Sequence, residues 1–232
     1  MKNNDKSLIK IKISIVINIL ISFLTLIATI IMFTGFKFMT GNEVALESTK
    51  IGMLKFFTVD SNLFMGIISL LFAINEIQLI KGTKKDISIK MYILKLMTTT
   101  SVGLTFFVVF AYLGPISKGG IMSLLMNSNL FFHLIIPVLS IISFVFFEKT
   151  DKIKFSHTFL GIIPAVIYGI PYITNVLIHM ENGIVSTTYD WYWFVQNGVW
   201  TAVIVVPIIF AITYVISLIL WKTNRTKKIK TK

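Results

Sequence analysis

Six long apolar runs separated by short polar links set the pattern of the chain. They cover residues 13–35, 51–75, 91–113, 125–147, 159–178 and 197–221. About 20 apolar residues in a helix cross the hydrocarbon of a bilayer. The pattern therefore predicts an all-α, polytopic membrane protein with six transmembrane helices in a single integral membrane domain, 1–232. A secretory signal has an apolar core of only about 7–15 residues, so the first run reads as a retained anchor. Gly114-Pro115 should end the third span, and Pro164, Gly169 and Pro171 predict a kink in the fifth. Lys55 and Lys95 lie near span ends, where long side chains can snorkel to the surface. Asp190-Trp191-Tyr192-Trp193-Phe194 reads as an interfacial aromatic belt.

Composition sharpens this reading. The chain is 55% hydrophobic and 14% charged, against about 25% charged for soluble domains. It has no cysteine, which removes disulfides, thiolate nucleophiles and zinc–cysteine sites. The net charge of +12 does not point to nucleic acid, because the lysines border apolar spans, where they set topology and meet anionic headgroups. Outside the spans, and counting Lys55 at a span edge, seventeen Lys and Arg fall on the side of the two termini and four on the other. The positive-inside rule then places both termini in the cytoplasm of a bacterial cell membrane.

Polar residues inside spans are costly and mark sites by default. On the second span Thr58, Ser61, Asn62 and Met65 share one helical face. On the fourth, Asn129 and His133 share a face, with Ser128 beside them and Ser140 two turns on. Both spans run inward. Thr58 lies about seven residues below Ile51 and His133 about eight below Leu125, so both are expected roughly 10–12 Å deep. Ser-Asn-Leu-Phe occurs at 61–64 and again at 128–131, which hints at two similar helices. Each group also has a plain structural reading. Thr and Ser hydroxyls can bond a carbonyl one turn back, Asn can join helices, and His133 can be a packing residue. Asp60 faces away from Thr58 and is within reach of Lys118 or Lys55 for pairing. His157 and His179 lie at opposite borders, so no metal site is expected, and no cofactor is called for.

The chemical reading is nucleophilic catalysis. A Thr hydroxyl becomes a nucleophile when a positioned base takes its proton, and a neutral buried His is a suitable base. Ser61, Asn62, Ser128 and Asn129 can orient the base or donate to an oxyanion. A site open to lipid would take membrane lipids or an acylated small molecule. Phe57-Thr58-Val59-Asp60-Ser61-Asn62-Leu63 in a second span, with His133 and Pro137 in a fourth, resembles the bacterial branch of the androgen-induced protein and ADTRP family of six-span membrane proteins. That resemblance implies an intramembrane threonine hydrolase of fatty-acid esters, with Thr58 as nucleophile and His133 as base. The motif here follows Thr-x-x-Ser-Asn, and the substrate need not be the animal one. The rival readings are a non-catalytic lipid-binding or transport protein and a structural partner subunit.

Overall fold

The computed structural model describes residues 2–40, 44–195 and 198–225. Six helices are long and apolar enough to cross a membrane. They are α1 (Lys2–Thr34), α2 (Phe57–Ile80), α3 (Ile89–Ile116), α4 (Ser128–Phe147), α5 (Phe155–Ile178) and α6 (Val199–Asn224). Among the described residues there is no strand, only an isolated bridge between Glu181 and Ile184. The outer surface carries many exposed large apolar side chains, including Val16, Phe23, Ile67, Ile167 and Ile204, as lipid contact requires.

α3 is the central helix, with 61% of its apolar window buried against 17% for that of α6. This explains its hydroxyl-rich sequence. Thr98, Thr99, Thr100, Ser101 and Thr105 are all buried, and Thr98, Ser101 and Thr105 bond carbonyls one turn back. Small residues let neighbouring helices close in. A Cβ on Gly66 would lie 2.8 Å from Thr25 of α1, and one on Gly161 would lie 2.4 Å from the Ser217 hydroxyl of α6.

The helix ends depart from the hydropathy reading in ways that matter for the site. The second apolar run begins with a 3₁₀ turn, Lys50–Lys55, and Phe56 is extended, so the continuous helix starts at Phe57. α4 starts at Ser128 because Asn127 takes φ +52°, a conformation Asn tolerates better than most. α5 opens as a 3₁₀ stretch over Phe155–Ile162, and its α-helical part follows from Ile163 with Pro164 in the first turn, where its missing N–H is no loss. Among the described residues three π-helical turns interrupt the bundle, at Val109–Leu113, Phe131–Ile135 and Ser143–Phe147. Such turns add a residue and re-aim side chains, often at functional sites. Pro137 lacks the N–H that would bond the His133 carbonyl, which suits the change of register just before it.

Two expectations fail. Lys95 does not snorkel: it is fully buried and ion-paired with Glu148. The Asp190–Phe194 segment is not an outward-facing belt, because Tyr192 and Phe194 fold into the core. Asp190 directs that fold. Its carboxylate accepts from the Tyr172 hydroxyl and from the N–H groups of Phe194 and Val195.

Candidate functional site

Thr58 is the second residue of α2, so it has no helical carbonyl one turn back to bond. It sits among the orphan donors of a helix N-terminus. The N–H groups of Val59 and Asp60 both bond the Phe56 carbonyl. Those of Phe57 and Thr58 lie near the hydroxyl of Tyr192, as does the Thr58 side chain, without a hydrogen bond to it. Burial pushes the Tyr192 phenol up to about 12. The group at this point is therefore a neutral phenol at physiological pH. Its oxygen makes no full hydrogen bond. Backbone donors at a helix N-terminus favour an oxygen carrying negative charge, so the point where they converge suits an oxyanion better than a phenol.

The site opens on an almost wholly apolar cavity of about 70 Å³ between α2, α3, α5, α6 and the 190–195 segment. Its wall includes Phe57, Thr58, Thr105, Tyr168, Tyr172 and Tyr192. The tyrosines are held in place. The Tyr168 hydroxyl donates to the Lys55 carbonyl (2.5 Å) and accepts from Trp191 Nε1 (3.0 Å). A larger cleft of about 660 Å³ between α2 and α5 shares Phe57, Tyr168 and Tyr172 with the cavity and adds Lys55, Asp60 and Trp191. Asp60 is half-buried on its wall and forms no ion pair among the described residues, so the expected pairing with Lys55 or Lys118 is not made.

His133 lies in the π-turn of α4 with no solvent exposure. Its Nδ1 is 2.5 Å from the Leu124 carbonyl. A carbonyl only accepts, so Nδ1 carries the proton and Nε2 keeps its lone pair. Nε2 has no partner. Among the described residues no hydrogen bond joins it to the Thr58 hydroxyl. The link between the helices is Asn62, whose Nδ2 donates to the Thr58 carbonyl (2.7 Å) and to the Phe132 carbonyl (3.1 Å). Asn62 therefore ties the first turn of α2 to the residue preceding His133. Ser61 bonds the Thr58 carbonyl (3.1 Å) and shares a hydrogen bond with Thr105 of α3 (3.2 Å).

The other candidates serve different ends. Asn129 donates to the Ala45 carbonyl (2.8 Å), and Asn127 accepts from the N–H groups of Phe38 and Met39. Both pin the first link to the start of α4, away from Thr58. Ser128 is buried as the first residue of α4. The two Ser-Asn-Leu-Phe segments thus play unlike parts, one joining α2 to α4 and one anchoring a loop. Sequence reasoning missed Tyr192, and the readable signal was Asp190 two residues before it. No family model, curated protein or solved structure matches the chain.

Proposed function

We propose that the chain is an intramembrane hydrolase of lipid or fatty-acid esters, with Thr58 as nucleophile and His133 as general base. It would work in a bacterial cytoplasmic membrane with both termini inside, as the excess of basic residues on the terminal side supports. One observation carries the reading. The threonine hydroxyl and the N–H groups of Phe57 and Thr58, at the first turn of α2, lie together at the wall of an apolar cavity.

In this reading the acyl chain enters through the cleft between α2 and α5, with its polar end near Lys55, Asp60 and Trp191. The ester carbonyl oxygen displaces the Tyr192 hydroxyl and accepts from the N–H groups of Phe57 and Thr58. Donors placed where charge develops lower the barrier to a tetrahedral intermediate. Thr58 Oγ1 attacks the carbonyl carbon, its proton passes to His133 Nε2, and that proton leaves with the alcohol. Water, activated by the same nitrogen, then cleaves the acyl-threonine and restores the hydroxyl. The step requires Nε2 to come within hydrogen-bond reach of Oγ1 in the substrate complex, and catalytic bonds are often long before substrate arrives.

The missing Thr58–His133 bond favours a second reading, in which the cavity holds an acyl chain without cleaving it. Release of the fluorescent alcohol from a long-chain umbelliferyl ester, by protein in lipid nanodiscs, separates the two. The hydrolase reading expects turnover that Thr58→Ala and His133→Ala each abolish. Tight ester binding with no turnover would establish the second reading.

A further inference from the structure

Far from Thr58, near the terminal-side end of the bundle, lies a water-excluded cluster of charged groups. Glu76 and Thr58 share a face of α2 but are 18 residues apart, about 27 Å at 1.5 Å per residue. The cluster is therefore separate from the ester site. α1 contributes Ser14 and Asn18, α2 contributes Met65, Ser69 and Glu76, α3 contributes Tyr92 and Lys95, and α4 with the residue after it contributes Ser143 and Glu148. Apart from Tyr92, the polar members are at most 2% exposed.

Lys95 Nζ donates to Asn18 Oδ1 (2.6 Å) and Ser69 Oγ (3.1 Å) and lies 3.3 Å from Glu148 Oε1. Asn18 Nδ2 and Ser143 Oγ both donate to that same carboxylate oxygen, at 2.8 and 2.6 Å. Glu76 lies beside Ser14 and feels the charges of both Glu148 and Lys95. Tyr92 lies within the field of both carboxylates, and the Asp86–Lys152 ion pair borders Tyr92 from outside the bundle. One oxygen of each buried carboxylate, Glu76 Oε2 and Glu148 Oε2, has no partner at all.

Charge balance decides what the cluster takes. Two carboxylates face one ammonium, which leaves one negative charge where water is excluded, and a buried carboxylate that lacks a counter-charge takes up a proton instead. We propose that Glu76 and Glu148 form a proton-binding site that holds one proton between them at neutral pH. A metal ion would need several oxygens around it. Here the Lys95 ammonium already fills the space between Asn18 Oδ1, Ser69 Oγ and Glu148 Oε1, and the two free oxygens suffice for a proton alone. Glu76 lies four residues before the end of α2, and Glu148 directly follows α4. Exchange therefore runs to the terminal side.

The test is infrared difference spectroscopy on the full chain in lipid, reading the carbonyl stretch of a protonated carboxylic acid. Glutamate labelled with ¹³C at the side-chain carboxyl identifies the band without mutation. The wild type is expected to show one protonated glutamate per chain at neutral pH. Charge balance predicts that Glu76→Gln and Glu148→Gln each abolish the band, because one carboxylate then pairs with Lys95. Lys95→Met is expected to double it. No glutamic acid band in the labelled wild type would overturn the proposal. So would a band that survives both Gln substitutions, each checked for retained helix content.

Discussion

Removing the ammonium of Lys95 tests how far the buried charges hold the bundle together. Lys95→Met keeps the length and apolar stem of the side chain and deletes its charge. At 3.3 Å from Glu148 and an effective dielectric of about 20, the attraction lost is about 5 kcal/mol. Breaking a buried pair by removing one partner costs about 3–5 kcal/mol, because the other charge stays behind, so the two routes agree. Glu148, left without its counter-charge, then takes up a proton, which relieves part of this cost and places the loss toward the lower end, about 3 kcal/mol. The assay is reversible unfolding in mixed micelles, followed by circular dichroism. The double variant Lys95→Met with Glu148→Gln removes both charges and should recover at least half of the loss, since paired deletion of a buried ion pair is often nearly neutral. A single-variant loss below about 1 kcal/mol, or a double variant showing the plain sum of the two single losses, would refute the reasoning.

Two further predictions concern the ester site. Asn62→Ala removes the clamp between α2 and α4 and leaves the Phe132 carbonyl without its donor. The same unfolding assay should show a loss of about 1–2 kcal/mol, with ester turnover falling because His133 is no longer held in register. Tyr192→Phe keeps the ring packing against Tyr172 and Phe194 and removes the hydroxyl that occupies the donor point. The KM for a long-chain ester should fall while kcat is retained. A fall in kcat of tenfold or more would make the phenol part of the chemistry.

Much of this architecture is legible in the chain, and the failures have physical causes. Each of the six runs appears as a helix, and the face through Thr58, Ser61, Asn62 and Met65 is buried as the helical period requires. Hydropathy placed the start of the second helix at Ile51, because Met53 and Leu54 are apolar whether they lie in a helix or in a 3₁₀ turn. That shift matters, since it turns Thr58 from a mid-span residue into a member of the first turn, where free N–H groups are found. Lys95 was misread because a lysine one turn inside a span looks the same whether it snorkels or pairs. Its partner Glu148 and the neighbouring Glu76 sit at helix borders that read as polar links. The 190–194 aromatic run has the composition of an interfacial belt, and only the turn built on Asp190 sends Tyr192 inward. Asn129 showed the correct burial but not its partner, because the Ala45 carbonyl belongs to a loop with no periodicity to read.

The central claim is that Thr58 is an activated nucleophile. The most direct measurement is treatment of the protein in lipid with a long-chain fluorophosphonate, followed by peptide mass spectrometry of the covalent adduct. The account predicts one adduct, on the peptide that carries Thr58, absent in Thr58→Ala and strongly slowed in His133→Ala. An adduct on any other residue, or none when the ester is demonstrably bound, would contradict it.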